Sequence, residues 1–163
     1  MRRLRAAAPR GSFEARTLVL DDLSAVKDFI KTTLDHSDQP IDVLVNNAGV
    51  MACPEMRTKD GFEYQLGVNH LSHFALTTGL LPLMTDPARE SRIVTVSSSA
   101  HLFGRINFED INCRRNYQPW LAYGQSKLAN VLFALELAKR LPHTAQLTSN
   151  ALHPGVVNTE LSR

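Results

Sequence analysis

Hydrophobic positions along the chain alternate between short apolar runs and longer stretches with helical recurrence, a pattern that predicts an α/β sheet. Thr17-Leu18-Val19-Leu20 reads as a short strand. Asp21 or Asp22 stands where a helix cap belongs, ahead of Leu23, Val26, Phe29, Ile30 and Leu34 at helical spacing. Pro40 ends that pattern, and the β-rich run Ile41–Val45 predicts a strand buried on both faces. A largely helical stretch follows from Asp60 to about Met84, with Pro82 near its end and Pro87 in a loop. Arg92–Ser97 predicts a third strand and Leu147–Leu152 a fourth, ended by His153-Pro154-Gly155. Between those two strands lie a loop-like segment, His101–Trp120, and an amphipathic helix over Ala122–Leu141. That helix carries Leu128, Leu132, Leu135 and Leu141 along or near one face.

The chain has 163 residues, about one domain, and 44% of them are hydrophobic, enough to fill a core. Residues 1–163 form a single unit without repeats or linkers. A net charge of +2 and the lack of a basic stripe with interleaved aromatics speak against nucleic acid as a partner. No apolar run approaches the roughly 18 residues that cross a bilayer, so no transmembrane segment is expected. Cys53 and Cys113 lack metal-ligand spacing and suggest a reducing compartment, with the cytoplasm as the default. The opening MRRLRAAAPR loosely resembles an organelle transit peptide, but reads better as part of an amphipathic helix.

The strongest local signal is Tyr123-Gly124-Gln125-Ser126-Lys127 at the start of the long helix. Residues four apart share a helical face, so the phenol and the ammonium can serve one site. A free Tyr titrates near pH ~10, and a nearby cation favours its phenolate. Alone the pair is commonplace on solvated helices. Ser97, Ser98 and Ser99 follow the strand RIVTV at its carboxyl end, where ligands sit in open α/β sheets, although a Ser triplet also suits ordinary loop and capping chemistry. Val43-Leu44-Val45-Asn46-Asn47-Ala48-Gly49 opens a buried strand onto two amides and two small residues that let a flat ligand approach. Asn69 lies inside a predicted helix, where its amide competes for backbone hydrogen bonds and can hold a water, distort the helix or point to solvent. His70, His73 and His101 share no ligand spacing, and no metal is expected.

In this order and at these strand ends, Asn46-Asn47-Ala48-Gly49, Asn69, Ser98, Tyr123-x-x-x-Lys127 and Pro154-Gly155 resemble the successive motifs of the short-chain dehydrogenase/reductase superfamily. The strings VNNAGVM, GFEYQLGVNHLSHF, RIVTVSSSAH, AYGQSKLANVLFALELAKRL and NALHPGVVNTEL resemble its retinol dehydrogenase branch, and are similar to the chloroplast-envelope and WW-domain oxidoreductase branches. The resemblance implies a Rossmann-like, doubly wound parallel sheet and a hydride transfer between NADP(H), preferred over NAD(H), and an apolar carbonyl or alcohol of retinoid, steroid or lipid-aldehyde type. Tyr123 is then the general acid/base. Lys127 lowers its pKa and binds the nicotinamide ribose, Ser98 polarises the carbonyl, and Asn69 holds a water in a proton relay. Asn46, Ala48 and Gly49 line the cofactor together with Tyr123 and Lys127, while Pro154, Gly155 and Thr159 meet its nicotinamide end. Ser98 is preferred over its neighbours because it precedes Tyr123 by 25 residues, the long spacing of this branch.

The family opens with a strand and a glycine-rich loop whose amides bind pyrophosphate, and nothing before Leu18 matches it. The expected sheet is therefore incomplete, without the first two strands and the last strand of the family fold, as in a truncated product. The alternative expectation is a catalytically silent scaffold or regulatory protein that keeps the dehydrogenase fold. Intact Ser98, Tyr123 and Lys127 favour the enzyme, and self-association of the chain is left open.

Overall fold

A computed structural model describes residues 10–36 and 39–155 of the chain. Helix α1 (Leu23–His36) begins where Asp22 accepts from the backbone amides of Ser24 (2.9 Å) and Ala25 (3.3 Å), which satisfies donors that the first turn leaves free. Val26, in its first turn, is fully buried. Strand β1 (Val43–Asn46) pairs in parallel with β2 (Ser91–Val96), which pairs in parallel with β3 (Leu147–Leu152). The three strands stand in the order β1-β2-β3, so all three carboxyl ends lie on one edge of the sheet.

Between β1 and β2 the chain forms α2 (Tyr64–Leu66), a π-helical turn (Gly67–Leu71), α3 (Ser72–Leu80) and a 3-10 turn (Leu81–Leu83). Between β2 and β3 come a 3-10 turn (Ser99–Leu102), a long irregular segment and α4 (Pro119–Arg140). Pro119 suits the first position of α4, where its missing N–H has no partner to lose.

The core lies on one face of the sheet. Ile93 of β2, Leu147 of β3, Met84, and Phe133 and Leu137 of α4 form one buried cluster. Val26, Leu76 and Leu80 form a second between α1 and α3, and Leu44 of β1 packs against both. On the opposite face, Val43 and Val45 are each 53% exposed, and Arg92, Thr148 and Asn150 are exposed as well.

Several sequence expectations change here. Thr17–Leu20 is not a strand: residues 11–19 are irregular, and Leu18 and Leu20 pack against the α1–α3 cluster instead. A strand at the sheet edge needs a ladder partner, and none of the described strands reaches it. The strand at Ile41–Val45 starts later and is not buried on both faces, because no described helix covers the Val43/Val45 side. The helix expected from Asp60 begins only at Tyr64, where the buried Glu63 carboxylate caps the amides of Gln65 (2.9 Å) and Leu66 (2.6 Å). On α4, Leu132 (47% exposed) and Leu135 (57%) face outward. The buried stripe is Ala122, Ala129, Phe133, Ala134 and Leu137, in which the three alanines let the helix lie close and Phe133 and Leu137 fill the core.

Candidate active site

The carboxyl ends of β1, β2 and β3 bring together residues from four segments. From α4 come Tyr123 and Lys127, one turn apart and both buried (4% exposed each), with the Lys127 Nζ 5.7 Å from the centre of the Tyr123 ring. Nζ donates to the carbonyl of Val96 at the tip of β2 (3.1 Å), which also accepts from the Asn130 amide (3.3 Å). Burial pulls the Lys127 pKa down from its ordinary 10.5 to about 8, since an ammonium loses hydration there and gains no carboxylate partner.

The serines that follow β2 divide their tasks. Ser97 is buried, and its Oγ donates to the carbonyl of Lys127 (2.8 Å), tying the strand end to the helix. Ser98 is only partly buried; its Oγ accepts from the Ala100 amide at 3.3 Å, a long bond that leaves the hydroxyl proton free to donate. The turn that begins there packs against α4 beside Tyr123: a Cβ built on Gly124 would lie 3.0 Å from the Ala100 carbonyl oxygen.

Asn69, within the π-helical turn, is fully buried. Its Oδ1 accepts from the Val50 amide (2.8 Å), and its Nδ2 donates to the Val50 carbonyl and to Ser126 Oγ (2.9 Å each). Ser126 Oγ in turn donates to the Tyr123 carbonyl (2.8 Å). One amide thus clamps the loop after β1 to the Tyr123–Lys127 stretch of α4. The Asn69 carbonyl accepts from His73 Nδ1 (3.0 Å), and His70 Nδ1 donates to Asn130 Oδ1 (3.2 Å). Burial holds the pKa of both histidines below the usual imidazole value, so each sits neutral at pH 7.

Of the remaining residues singled out from the sequence, Gly49 lies against this cluster, since a Cβ there would meet Asn69 Oδ1 at 2.9 Å and Lys127 Nζ at 3.5 Å. Ala48 is exposed beside it. Asn46 is 1% exposed, on the helix-covered face, where its Nδ2 donates to Thr77 Oγ1 (2.8 Å) and braces α3. Pro154 and Gly155, the latter at φ +82°, follow β3 at the same edge and are exposed. Thr159 lies outside the described residues. No group of three or more His, Cys, Asp or Glu side chains able to hold a metal ion occurs among the described residues.

Sequence reasoning passed over Ser126, Asn130, Gln125, Gln65 and Glu63, all at most 2% exposed. The available signal was the run Gln125-Ser126-Lys127 with Asn130, polar residues interleaved with alanines on a helix that must bury most of its surface. Glu63 offered none, because Glu is not among the favoured capping residues.

Comparison with known proteins gives a consistent picture. The model of the short chain dehydrogenase family matches residues 2–163. The chain is 49% identical over 153 residues to human retinol dehydrogenase 14, covering 94% of this chain and 45% of that protein. Among solved structures, a Mycobacterium paratuberculosis protein is 52% identical with a TM-score of 0.79, covering 99% of this chain and 58% of that one. The Pseudomonas aeruginosa RhlG/NADP active-site complex is 25% identical with a TM-score of 0.70, over 96% of this chain and 58% of that one. The chain spans about half the length of the curated relatives it matches.

Proposed function

This chain belongs to the short-chain dehydrogenase family, and we propose that it serves hydride transfer between NADP(H) and an apolar carbonyl/alcohol pair of retinoid, steroid or lipid-aldehyde type. One observation carries this reading: Tyr123, Lys127 and Asn69 converge from two helices on the carboxyl edge of a parallel sheet, beside Ser98 at the tip of its middle strand. Similarity to retinol dehydrogenases supports the substrate class, and the NADP complex of the Pseudomonas relative supports the phosphorylated cofactor.

The residues present fit the nicotinamide-ribose end of a dinucleotide. Ala48 is exposed at the end of β1, and the absence of a side chain on Gly49 leaves the approach to Lys127 Nζ clear. Ala48, Gly49, Lys127, Pro154 and Gly155 would hold that end, with Asn46 bracing the strand beneath them. When bound, nicotinamide supplies or receives the hydride.

The chain's own side chains handle the proton. Ser98 Oγ donates a hydrogen bond to the substrate oxygen, which orients the carbonyl. The Tyr123 phenol gives its proton to that oxygen in reduction and takes it back in oxidation. The buried Lys127 ammonium stabilises the negative charge that develops on the phenol oxygen, strongly so because little water screens it. Asn69 keeps the loop after β1 in register with Tyr123, and its backbone carbonyl fixes His73 on the far side.

Turnover of all-trans-retinal with NADPH, followed by loss of NADPH absorbance, tests the proposal. Tyr123→Phe is expected to lower turnover by roughly 10²–10⁴-fold, the usual worth of a positioned acid/base. Unchanged turnover in that variant, or a wild-type protein that neither turns over nor binds NADPH in calorimetric titration, refutes it.

A further inference from the structure

We propose that Gln125 is a positioning residue, which holds residues 103–118 as a strap around the first turns of α4 and so fixes the direction of the Tyr123 phenol. The inference rests on Tyr123 acting as the acid/base.

Gln125 sits between Tyr123 and Lys127 in sequence but roughly 200° round the helix from Tyr123 at about 100° per residue, so it cannot reach the same substrate. It is nevertheless 2% exposed, and its amide is spent entirely on the strap. Oε1 accepts from the Asn107 amide (2.9 Å) and Nε2 donates to the Ile111 carbonyl (2.9 Å). The strap's near end is pressed onto the same turn: a Cβ on Gly104 would lie 2.2 Å from the Gly124 carbonyl oxygen, and one on Gly124 would meet the Phe103 ring at 2.9 Å. Residues 124 and 125, the two that follow the phenol, are therefore both gripped by the strap.

The far end is equally anchored. Asn112 Oδ1 accepts from the Glu63 amide (2.9 Å), and its backbone carbonyl accepts from Arg57. Tyr117 donates to the Cys53 carbonyl (2.8 Å) and accepts from Gln65 Nε2 (2.9 Å). Gln65 also donates to the Pro119 carbonyl (2.9 Å) and accepts from the Ala52 amide (2.8 Å). Gln125, on α4, fastens the middle of this span by two bonds to its backbone. Released there, the strap can lift from Gly124, and the first turn of α4 loses its backing.

The test is Gln125→Glu across pH. A neutral carboxyl reproduces both bonds, its carbonyl accepting from Asn107 and its hydroxyl donating to Ile111. A carboxylate has no proton to donate and turns two acceptors toward each other. Trp120, the only tryptophan of the chain, lies edge-on to the Tyr123 ring at 6.1 Å and reports that turn without any turnover.

At pH 8 the variant is expected to show hydrogen exchange across 104–118 raised about tenfold over wild type, together with an altered Trp120 emission. At pH 5 both return to wild-type values, and kcat with NADPH and retinal follows Trp120 while KM stays constant. Faster exchange with unaltered Trp120 emission reduces Gln125 to a loop anchor and overturns the proposal, as does unaltered exchange. Should the glutamate variant fail to fold, Gln125→Met, of similar length and unable to make either bond, is read for the same two signals. A wild-type protein without turnover defeats the proposed function, while exchange and emission still decide the role of Gln125.

Discussion

Replacing Lys127 by Met should make the protein more stable at neutral pH while removing the buried cation of the candidate site. The Lys127 pKa falls from 10.5 to about 8 on folding. At ~1.4 kcal/mol per unit, the native state holds this proton at a cost of about 3 kcal/mol. Met fills a comparable volume without the charge. It forfeits the Nζ bond to the Val96 carbonyl, worth about 1 kcal/mol, but that carbonyl keeps its bond from Asn130. The expected net gain at pH 7 is about 2 kcal/mol. The sign with pH follows from the direction of the shift: the folded pKa lies below the unfolded one, so between about pH 8 and 10.5 the unfolded chain binds the extra proton. Wild-type stability therefore rises relative to Lys127→Met as pH climbs through that window, and the difference shrinks to the residual hydrogen-bond and packing terms. Urea unfolding followed by circular dichroism at pH 7 and pH 10 measures both quantities. A Met variant less stable than wild type at pH 7, or a gap that ignores pH, would refute the reasoning.

Other outcomes follow from the same contacts. His70 and His73, held neutral by burial, confer stability that is complete above about pH 6.5 and is lost as pH falls through their lowered folded values; urea midpoints between pH 7 and pH 5 should drop, less so in His73→Gln. Gly104→Ala drives a methyl into the Gly124 backbone and should cost about 1–3 kcal/mol in thermal or urea unfolding. Phe133→Ala, in the core, should cost about 3–5 kcal/mol, whereas Leu135→Glu, on the outward face, should stay within about 0.5 kcal/mol. Equal costs for those two would mean that the buried stripe of α4 is wrongly assigned.

Most elements were legible, because their hydrophobic periods are set by backbone geometry, but Thr17–Leu20 has the composition of a strand and forms none, since a strand also needs a ladder partner. Strands β2 and β3 fall within a residue or so of expectation, and α1 is capped by one of the two aspartates that the pattern offered. Burial was harder to read, since it depends on what lies across the element. Val43 and Val45 have the composition of a doubly covered strand yet face outward, and leucines on α4 that looked like core give way to alanines and Phe133. In the candidate site, the shared helical face of Tyr123 and Lys127 could be read from their four-residue spacing, while the choice of Ser98 over its neighbours rested on the resemblance to the dehydrogenase branch. The task of Asn69 could not, because a mid-helix amide tells nothing of which backbone it will meet. Gln65 and Gln125 were invisible for the same reason: a buried glutamine is defined by distant loop amides, and these are fixed only when residues 103–118 close around α4.

The π-helical turn at Gly67–Leu71 amounts to one surplus residue between two stretches of ordinary helix. It sets the phase of everything downstream. Were these five residues to wind as regular α-helix with none removed, the following segment would swing by nearly one residue step, roughly 100°, about its axis. Leu76 and Leu80 would then leave the α1 contact, Thr77 would part from Asn46, and the asparagine that joins Val50 to Ser126 would sit on the wrong side of a seam it now closes. The supernumerary residue is thus the gearing between two faces of one rod, the upstream face meshed with Val50 and Ser126 and the downstream face with the hydrophobic interior.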